Sequence, residues 1–517
     1  MQVLLVLAWL QQTAAGIPGA PLPVLNRDLF GVSIDRAGDL DGDGIEDLWV
    51  ADPSDAEGFE DEPFQCIWAV SGATGKPIHR IGPPEGAQRF GSSVCALGDL
   101  DGDGVGEVAS NCCFIPTRAE PKWRWGIART SPRGESAVSV FSGSSGELLL
   151  AVRGPADDSK VSGYVYADGP AVRAAEDWNG DGACDLAIGW AYADSEALDC
   201  GRVDVVSGLD GAVLMSWLGA GAHDRLGTTL CVLTDLDGDD RPELAASALP
   251  DWEPDAGDDF PLLAKERAGY VQVLSSKGSV RQTLRPPDSA RSFGLSMSRF
   301  ADVDGDGVED LLLGRPFSNG DSDLRLWSLQ EGQLLRRFED PYYVSWKSAG
   351  KEVAPPRRIK PVDPNDWQAA RLQEHVGYTF GTRLMAIPDR DGDGREDMLV
   401  TVADGGGPFD SAYVGVLSSK TGRPIALVRY LDQLSLTEPR EWECTNYLGL
   451  ALCALPDMDG DSVEDYAIGG GSALGLVCPG AVVLISGKQL VPMRFIAGVR
   501  CRSQFSALPA DRAEADR

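Results

Sequence analysis

One nine-residue pattern, an aspartate-rich string with acids or amides at positions one, three, five and nine, recurs seven times along the chain. The copies are DLDGDGIED from Asp39, DLDGDGVGE from Asp99, DWNGDGACD from Asp177, DLDGDDRPE from Asp235, DVDGDGVED from Asp302, DRDGDGRED from Asp389 and DMDGDSVED from Asp457, spaced 58 to 87 residues apart. Repetition at that interval means a repeat architecture in which each unit is too small to bury its own apolar face and must stack on its neighbours.

The residues around the pattern say what each unit is. Five residues before each copy stand Ile34, Val94, Val172, Leu230, Met297, Leu384 and Leu452, and directly after it come Leu48, Val108, Leu186, Leu244, Leu311, Met398 and Tyr466. Fixed apolar offsets on both sides make the acidic string a loop between two strands. Further on, alternating segments such as VDVVS, VQVLS and LRLWS end at Ser71, Ser142, Ser207, Ser275, Ser328, Ser418 and Ser486, and most are followed by a glycine-bearing turn and a fourth apolar stretch. With 61 Gly and 33 Pro, the chain is punctuated too often for long helices. Four antiparallel strands per unit, seven times over, predict an all-β fold: a seven-bladed β-propeller of four-stranded antiparallel blades spanning residues 27–501.

Nine residues before six of the copies lies an aromatic or leucine followed by glycine: Phe30-Gly31, Phe90-Gly91, Leu226-Gly227, Phe293-Gly294, Phe380-Gly381 and Leu448-Gly449. The third copy has Asp168-Gly169 instead. Phe-Gly, an acidic loop, then a strand ending near Ala51-Asp52-Pro53 or Gly314-Arg315-Pro316 resembles the FG-GAP repeat of the integrin α-subunit N-terminal propeller. The chain departs from that family in carrying an acidic loop in every blade, where integrins carry them in only some. The resemblance implies a protein similar to the secreted or bacterial ones that carry this propeller alone, without stalk domains, transmembrane helix or tail.

Each loop offers the oxygen donors of a hard cation with six to eight ligands: carboxylates at one, three, five and nine and a backbone carbonyl at seven. The expected calcium ligands are Asp39, Asp41, Asp43, Ile45 and Asp47; Asp99, Asp101, Asp103, Val105 and Glu107; Asp177, Asn179, Asp181, Ala183 and Asp185; Asp235, Asp237, Asp239, Arg241 and Glu243; Asp302, Asp304, Asp306, Val308 and Asp310; Asp389, Asp391, Asp393, Arg395 and Asp397; and Asp457, Asp459, Asp461, Val463 and Asp465. The loops hold no His, and their one Cys, Cys184, sits at a non-ligand position, which disfavours zinc and copper. An EF-hand fails at position twelve, where its bidentate Glu is replaced by Val50, Ser110, Ile188, Ala246, Leu313, Val400 and Ile468. Seven Ca²⁺ ions, adding +14, would take the formal charge from −33 to −19. Affinities in the extracellular range, about 10⁻⁴ to 10⁻³ M, are expected of structural sites of this kind.

A charge of −33 disfavours nucleic acid and anionic membrane as partners. The apolar run Val3 to Leu10 is too short to span a bilayer, and with Thr13 to Gly16 after it reads as a signal peptide over residues 1–16. That places the protein as secreted, periplasmic or on the cell surface, with residues 502–517 a polar tail. In a meander, the acidic loops and Ser-Gly turns share one face, which leaves the insertions 52–65, 112–135, 154–167, 190–200, 250–268, 339–379 and 432–447 on the other. These carry Trp123, Trp125, Trp190, Trp252, Trp346, Trp367 and Trp442, and two are basic (Lys122, Arg124, Arg129 and Arg133; Lys347, Lys351, Arg357, Arg358 and Lys360). Exposed aromatics with arginine compose a binding surface, so a protein or glycan ligand and an adhesion role are expected there. The alternative is a carbohydrate-active enzyme, a polysaccharide lyase or glycosidase. His79, His223 and His375 show no metal-ligand spacing and no nucleophile elbow, which disfavours hydrolase triads. Cys66, Cys112, Cys113, Cys200, Cys444 and Cys478 map near the insertions as candidates for disulfide staples, while Cys95, Cys231 and Cys453 share one repeated core position.

Overall fold

In the computed structural model, residues 29–53, 65–88, 90–114, 123–124, 127–128, 135–155, 170–250, 268–288, 292–316, 322–341, 380–402, 413–429, 446–472 and 480–497 are described. The segments expected as signal peptide and polar tail, and most of the insertions, lie outside them. The described elements are all strands, arranged as seven antiparallel blades, each built from strands in chain order, with a two-stranded ribbon, Trp123–Arg124 and Ile127–Ala128, between the second and third strands of the second blade. The first blade is representative, with β1 (Ile34–Gly38), β2 (Asp47–Asp52), β3 (Cys66–Val70) and β4 (Pro77–Ile81) paired in that order. The seven-bladed propeller expected from the repeat is the fold.

The second blade differs in one respect: its inner edge is split into Ala87–Gln88 and Val94–Ala96, both paired with Val108–Phe114. The break falls at Phe90-Gly91. In the fourth, sixth and seventh blades the inner strand runs through the same point as a bulge, with register shifts between Leu226 and Leu230, Phe380 and Leu384, and Leu448 and Ala451, whereas in the first, third and fifth it begins only after it. The glycine forces the irregularity, because Gly31, Gly91, Gly227, Gly294, Gly381 and Gly449 all adopt φ of 83 to 95°. It also sets how close the blades come. A Cβ on Gly31 would stand 2.7 Å from the Ala481 carbonyl oxygen of the seventh blade, and one on Gly294 would stand 2.5 Å from Val271 of the fourth. The preceding aromatic or leucine fills the space beside it, as Phe30, Phe90, Leu226, Phe293 and Phe380 are buried.

Apolar clusters therefore form between blades. Phe30, Ile34, Leu48 and Val50 of the first blade pack on Ala467, Val482 and Leu484 of the seventh, so among the described residues the ring closes by face-to-face packing of these two blades. The inner strands present edge N–H groups that need acceptors. In five blades the position four residues before the motif supplies them. Asp35 accepts the Ala96 N–H of the next blade at 2.9 Å and Ser298 that of Ala386 at 3.0 Å. Cys95, Cys231 and Cys453 take the same place toward the N–H groups of Ala174, Arg299 and Arg36. Burial pushes the Cys231 thiol up to about 11, and those of Cys95 and Cys453 are raised as well, so these thiols act as packing groups.

Candidate metal centres and the opposite face

The acidic string folds identically in every blade because its first aspartate caps the loop. Asp39 accepts the Gly42 N–H on Oδ1 and the Gly44 N–H on Oδ2, both at 2.8 Å. Asp302 repeats this with Gly305 at 2.6 Å and Gly307 at 2.8 Å. Where the second glycine is replaced, Asp240 and Ser462 still adopt φ of 63° and 68° and still donate to Asp235 and Asp457 at 2.7 Å. The turn thus holds against the side chain's preference. These N–H bonds, from Gly307, Gly394 and Ser462, hold the carboxyls of Asp302, Asp389 and Asp457 below the usual range.

Position five accepts the N–H of position seven, as in Asp43 from Ile45, Asp103 from Val105, Asp181 from Ala183, Asp239 from Arg241, Asp306 from Val308, Asp393 from Arg395 and Asp461 from Val463. Position nine starts the second strand and is wholly buried: Asp47, Glu107, Asp185, Glu243, Asp310, Asp397 and Asp465 are each 0% exposed. One of its oxygens accepts the N–H of position two, from Leu40, Leu100, Trp178, Leu236, Val303, Arg390 or Met458. In four blades the other accepts an N–H from the Ser-Gly or Ser-Ser turn, namely Gly72, Gly208, Ser419 and Gly487. Acidic loops and turns therefore share one face of the ring, as the meander requires.

Carboxylate oxygens converge in these loops. One oxygen each from Asp99, Asp101, Asp103 and Glu107 lie within 4.8 Å of one another, as do those of Asp235, Asp237, Asp239 and Glu243, of Asp39, Asp41 and Asp43, of Asp302, Asp304 and Asp306, and of Asp389, Asp391 and Asp397. Such clusters can hold a metal ion. Several of their oxygens are buried with no hydrogen-bond partner among the described residues: Glu107 Oε1, Glu243 Oε1 and Asp310 Oδ1 at position nine, and Asp393 Oδ2 and Asp461 Oδ2 at position five. Burial, reinforced by neighbouring aspartates, pushes Glu107 and Asp310 up to about 7. Orphaned, desolvated carboxylate oxygens facing further carboxylates fit a hard cation.

The loops are not equal. In the fourth blade the ammonium of Lys277 stands 2.8 Å from Asp237 and 3.6 Å from Asp239. Lys420 reaches Asp393 at 4.0 Å, and Lys488 donates to the Asp461 carbonyl at 3.3 Å. In the third blade the Asn179 amide donates to Asp181 at 2.8 Å. Sequence reasoning missed the lysines, although each occupies the turn after the third strand, in SSK, SSK and SGK.

On the opposite face, the structure corrects two expectations. Trp190 is the last residue of the strand Leu186–Trp190, 4% exposed, with its indole donating to Asp204 at 2.9 Å. It is a core residue, because the insertion starts only after it. Cys112 and Cys200 are buried thiols beside Ser139 and the Ala193 carbonyl, and so are not disulfide staples. For Trp123-Arg124 the structure gives the backbone alone, paired with Ile127–Ala128. The remaining aromatic and basic candidates of the insertions, with Cys444 and Cys478, lie outside the described residues. His79 is a strand residue set edge-on to Trp49, and His223 pairs with Asp199 at 3.0 Å. No helix among the described residues is long and apolar enough to cross a membrane.

No protein-family model matches the chain. Integrin alpha-PS2 of Drosophila melanogaster is 28% identical over 184 residues, covering 34% of this chain and only 11% of that protein. Among solved structures, the Dos1 propeller aligns over 91% of this chain and 84% of its own, at 10% identity and a TM-score of 0.43.

Proposed function

We propose that this integrin-α-like propeller is a calcium-loaded extracellular module that presents the insertions of its other face to a protein or glycan ligand. The observation that carries the metal half is the set of orphaned carboxylate oxygens at positions five and nine, buried among further carboxylates in loops of oxygen donors. Calcium is the cation of choice because the donors are all oxygen and numerous. Its role is structural, since position nine begins a core strand while positions one to five belong to the loop before it. The adhesion half rests on the likeness to integrin alpha and on the aromatic and basic composition of the insertions.

Metal analysis after equilibrium dialysis at a free calcium concentration roughly tenfold above about 10⁻³ M should find between five and seven calcium ions per chain in excess of the buffer, and a protein with none would overturn the metal half. The ligand half is tested by screening the calcium-loaded chain against matrix proteins and glycans. Charge reversal at Arg357 and Arg358 should abolish any binding found without changing calcium content. Turnover of an acidic polysaccharide in that screen would replace adhesion with lyase activity.

A further inference from the structure

We propose that the central channel of the propeller binds a small inorganic oxyanion between Arg173 and Arg383. The inner strands of all seven blades enclose a cavity of about 980 Å³ that both arginines line. Arg173 stands four residues before its motif, where the other blades carry Asp35, Cys95, Cys231, Ser298, Met385 and Cys453. Arg383 stands six residues before its own, among serines, a threonine and alanines. These are departures from the repeat, and both put a guanidinium into the same space.

Neither guanidinium is neutralised by a bonded carboxylate among the described residues. Arg173 donates Nη1 to its own Val172 carbonyl at 2.7 Å, and Arg383 donates Nη1 to its own Thr382 carbonyl at 2.9 Å. A guanidinium has five N–H donors, so most remain for a ligand. Asp35 faces the channel too, but its oxygens already accept the N–H groups of Ala96 and Arg36. Glu309 and Glu396 line the cavity toward the acidic-loop face, where they accept the N–H groups of Thr234 and Ala301. Burial, with repulsion from Arg173, lowers Arg383 to about 10. Arg173 is exposed to the channel and Arg383 half-buried beside it; the Asp35 carboxylate offsets part of the charge of Arg173, and an anion between the two guanidiniums would relieve the repulsion that remains. Planar, forked donors suit the paired oxygens of a tetrahedral oxyanion, and a chain of charge −33 would not otherwise hold one.

Sulfate is the probe. The calcium-loaded full chain is titrated with sodium sulfate against sodium chloride at matched ionic strength, following the melting temperature and the heat of binding. A sulfate-specific rise is expected, with half-saturation moved about tenfold higher in Arg383→Met and in Arg173→Met, the loss of one charge-assisted contact. Arg423→Met, which removes a positive charge on the exposed edge of the sixth blade outside the cavity, should leave sulfate binding intact. Absence of a sulfate effect, unchanged binding in both arginine variants, or loss of binding in Arg423→Met would each overturn the proposal. The two arginine variants stand in for each other if one fails to fold. The outcome is independent of whether adhesion is the right reading of the insertion face.

Discussion

The Asp235 loop of the fourth blade and the Asp302 loop of the fifth share the same turn and carry carboxylates at positions one, three, five and nine, yet they deal with their charge differently. In the fourth, Lys277 lies across Asp237 and Asp239, and Ser275 and Ser276 donate to the same two residues at 3.2 and 2.6 Å. In the fifth, Ser328 donates to Asp306 at 3.1 Å and no lysine approaches among the described residues. The first loop carries a tethered cation, whereas the second, on the proposed reading, would take one from solution. By the same criterion the sixth and seventh blades side with the fourth, through Lys420 and Lys488, and the first and second with the fifth.

The largest effect expected is that of calcium removal. A site filled at tenfold its dissociation constant contributes about 1.4 kcal/mol, so several such sites should raise the melting temperature by roughly ten degrees or more. Chelation should undo that rise, and a melting curve indifferent to chelator would remove the metal from both kinds of loop. Next in size is the contrast between Asp304→Ala and Asp237→Ala. In calcium, Asp304→Ala should lose about one ion per chain and about 1–3 kcal/mol of stability, whereas Asp237→Ala should cost less because its loop binds calcium against Lys277. In chelator the order should invert. Asp304 then sits exposed beside the charges of Asp306 and Asp302, so its removal relieves repulsion, while removal of Asp237 leaves Lys277 with a poorer partner. Equal behaviour of the two variants in both conditions would dissolve the distinction.

pH separates the metal-free and metal-bound proteins by sign. Glu107 and Asp310, in loops without lysine, stand at about 7 in the metal-free fold, against roughly 4 for a free carboxyl. A raised folded pKa means the native state holds the proton more tightly than the unfolded chain. The chelated protein should therefore become more stable as pH falls from 8 toward 5, and lose that gain as pH rises through about 7. With calcium bound, acid competes for the ligand oxygens and stability should fall instead. Parallel melting curves at pH 5 and pH 8, with and without chelator, check this; the same slope in both would show that no ion is bound.

The blades and loops were legible in the sequence because they repeat: seven copies fix the strand positions around Asp39 and its equivalents with no reference to distant contacts. The Phe-Gly pair was visible as a pattern, but not its purpose. Gly31 is required by the Ala481 carbonyl of the seventh blade, some 450 residues away. Trp190 was misplaced because an aromatic that ends a strand and one that opens a loop look alike until Asp204 is seen under the indole. Arg173 and Arg383 were overlooked since each occurs once, and a repeat-based reading suppresses single departures. The lysines escaped for a related reason: Lys277 follows its acidic loop by about 40 residues, and only the meander brings them together.

The smallest expected effect is the most direct probe of the tethered cations. Lys277→Met removes an exposed ammonium whose pairing with Asp237 holds its own pKa above the usual value. Exposed ion pairs contribute about 0.2–1 kcal/mol, so freeing the two aspartates should tighten calcium at that loop by up to about fivefold. Metal-free stability should fall slightly. The geometry ranks the series: Lys277 makes a 2.8 Å contact with a ligand carboxylate, Lys420 stands 4.0 Å from one, and Lys488 bonds a backbone carbonyl. Bound calcium per chain, measured by equilibrium dialysis at a free concentration that half-fills the unaltered protein, should therefore increase most for Lys277→Met, less for Lys420→Met and least for Lys488→Met. An unchanged count for Lys277→Met would show that its ammonium leaves the site when calcium arrives, and that the two kinds of loop differ only in the absence of metal.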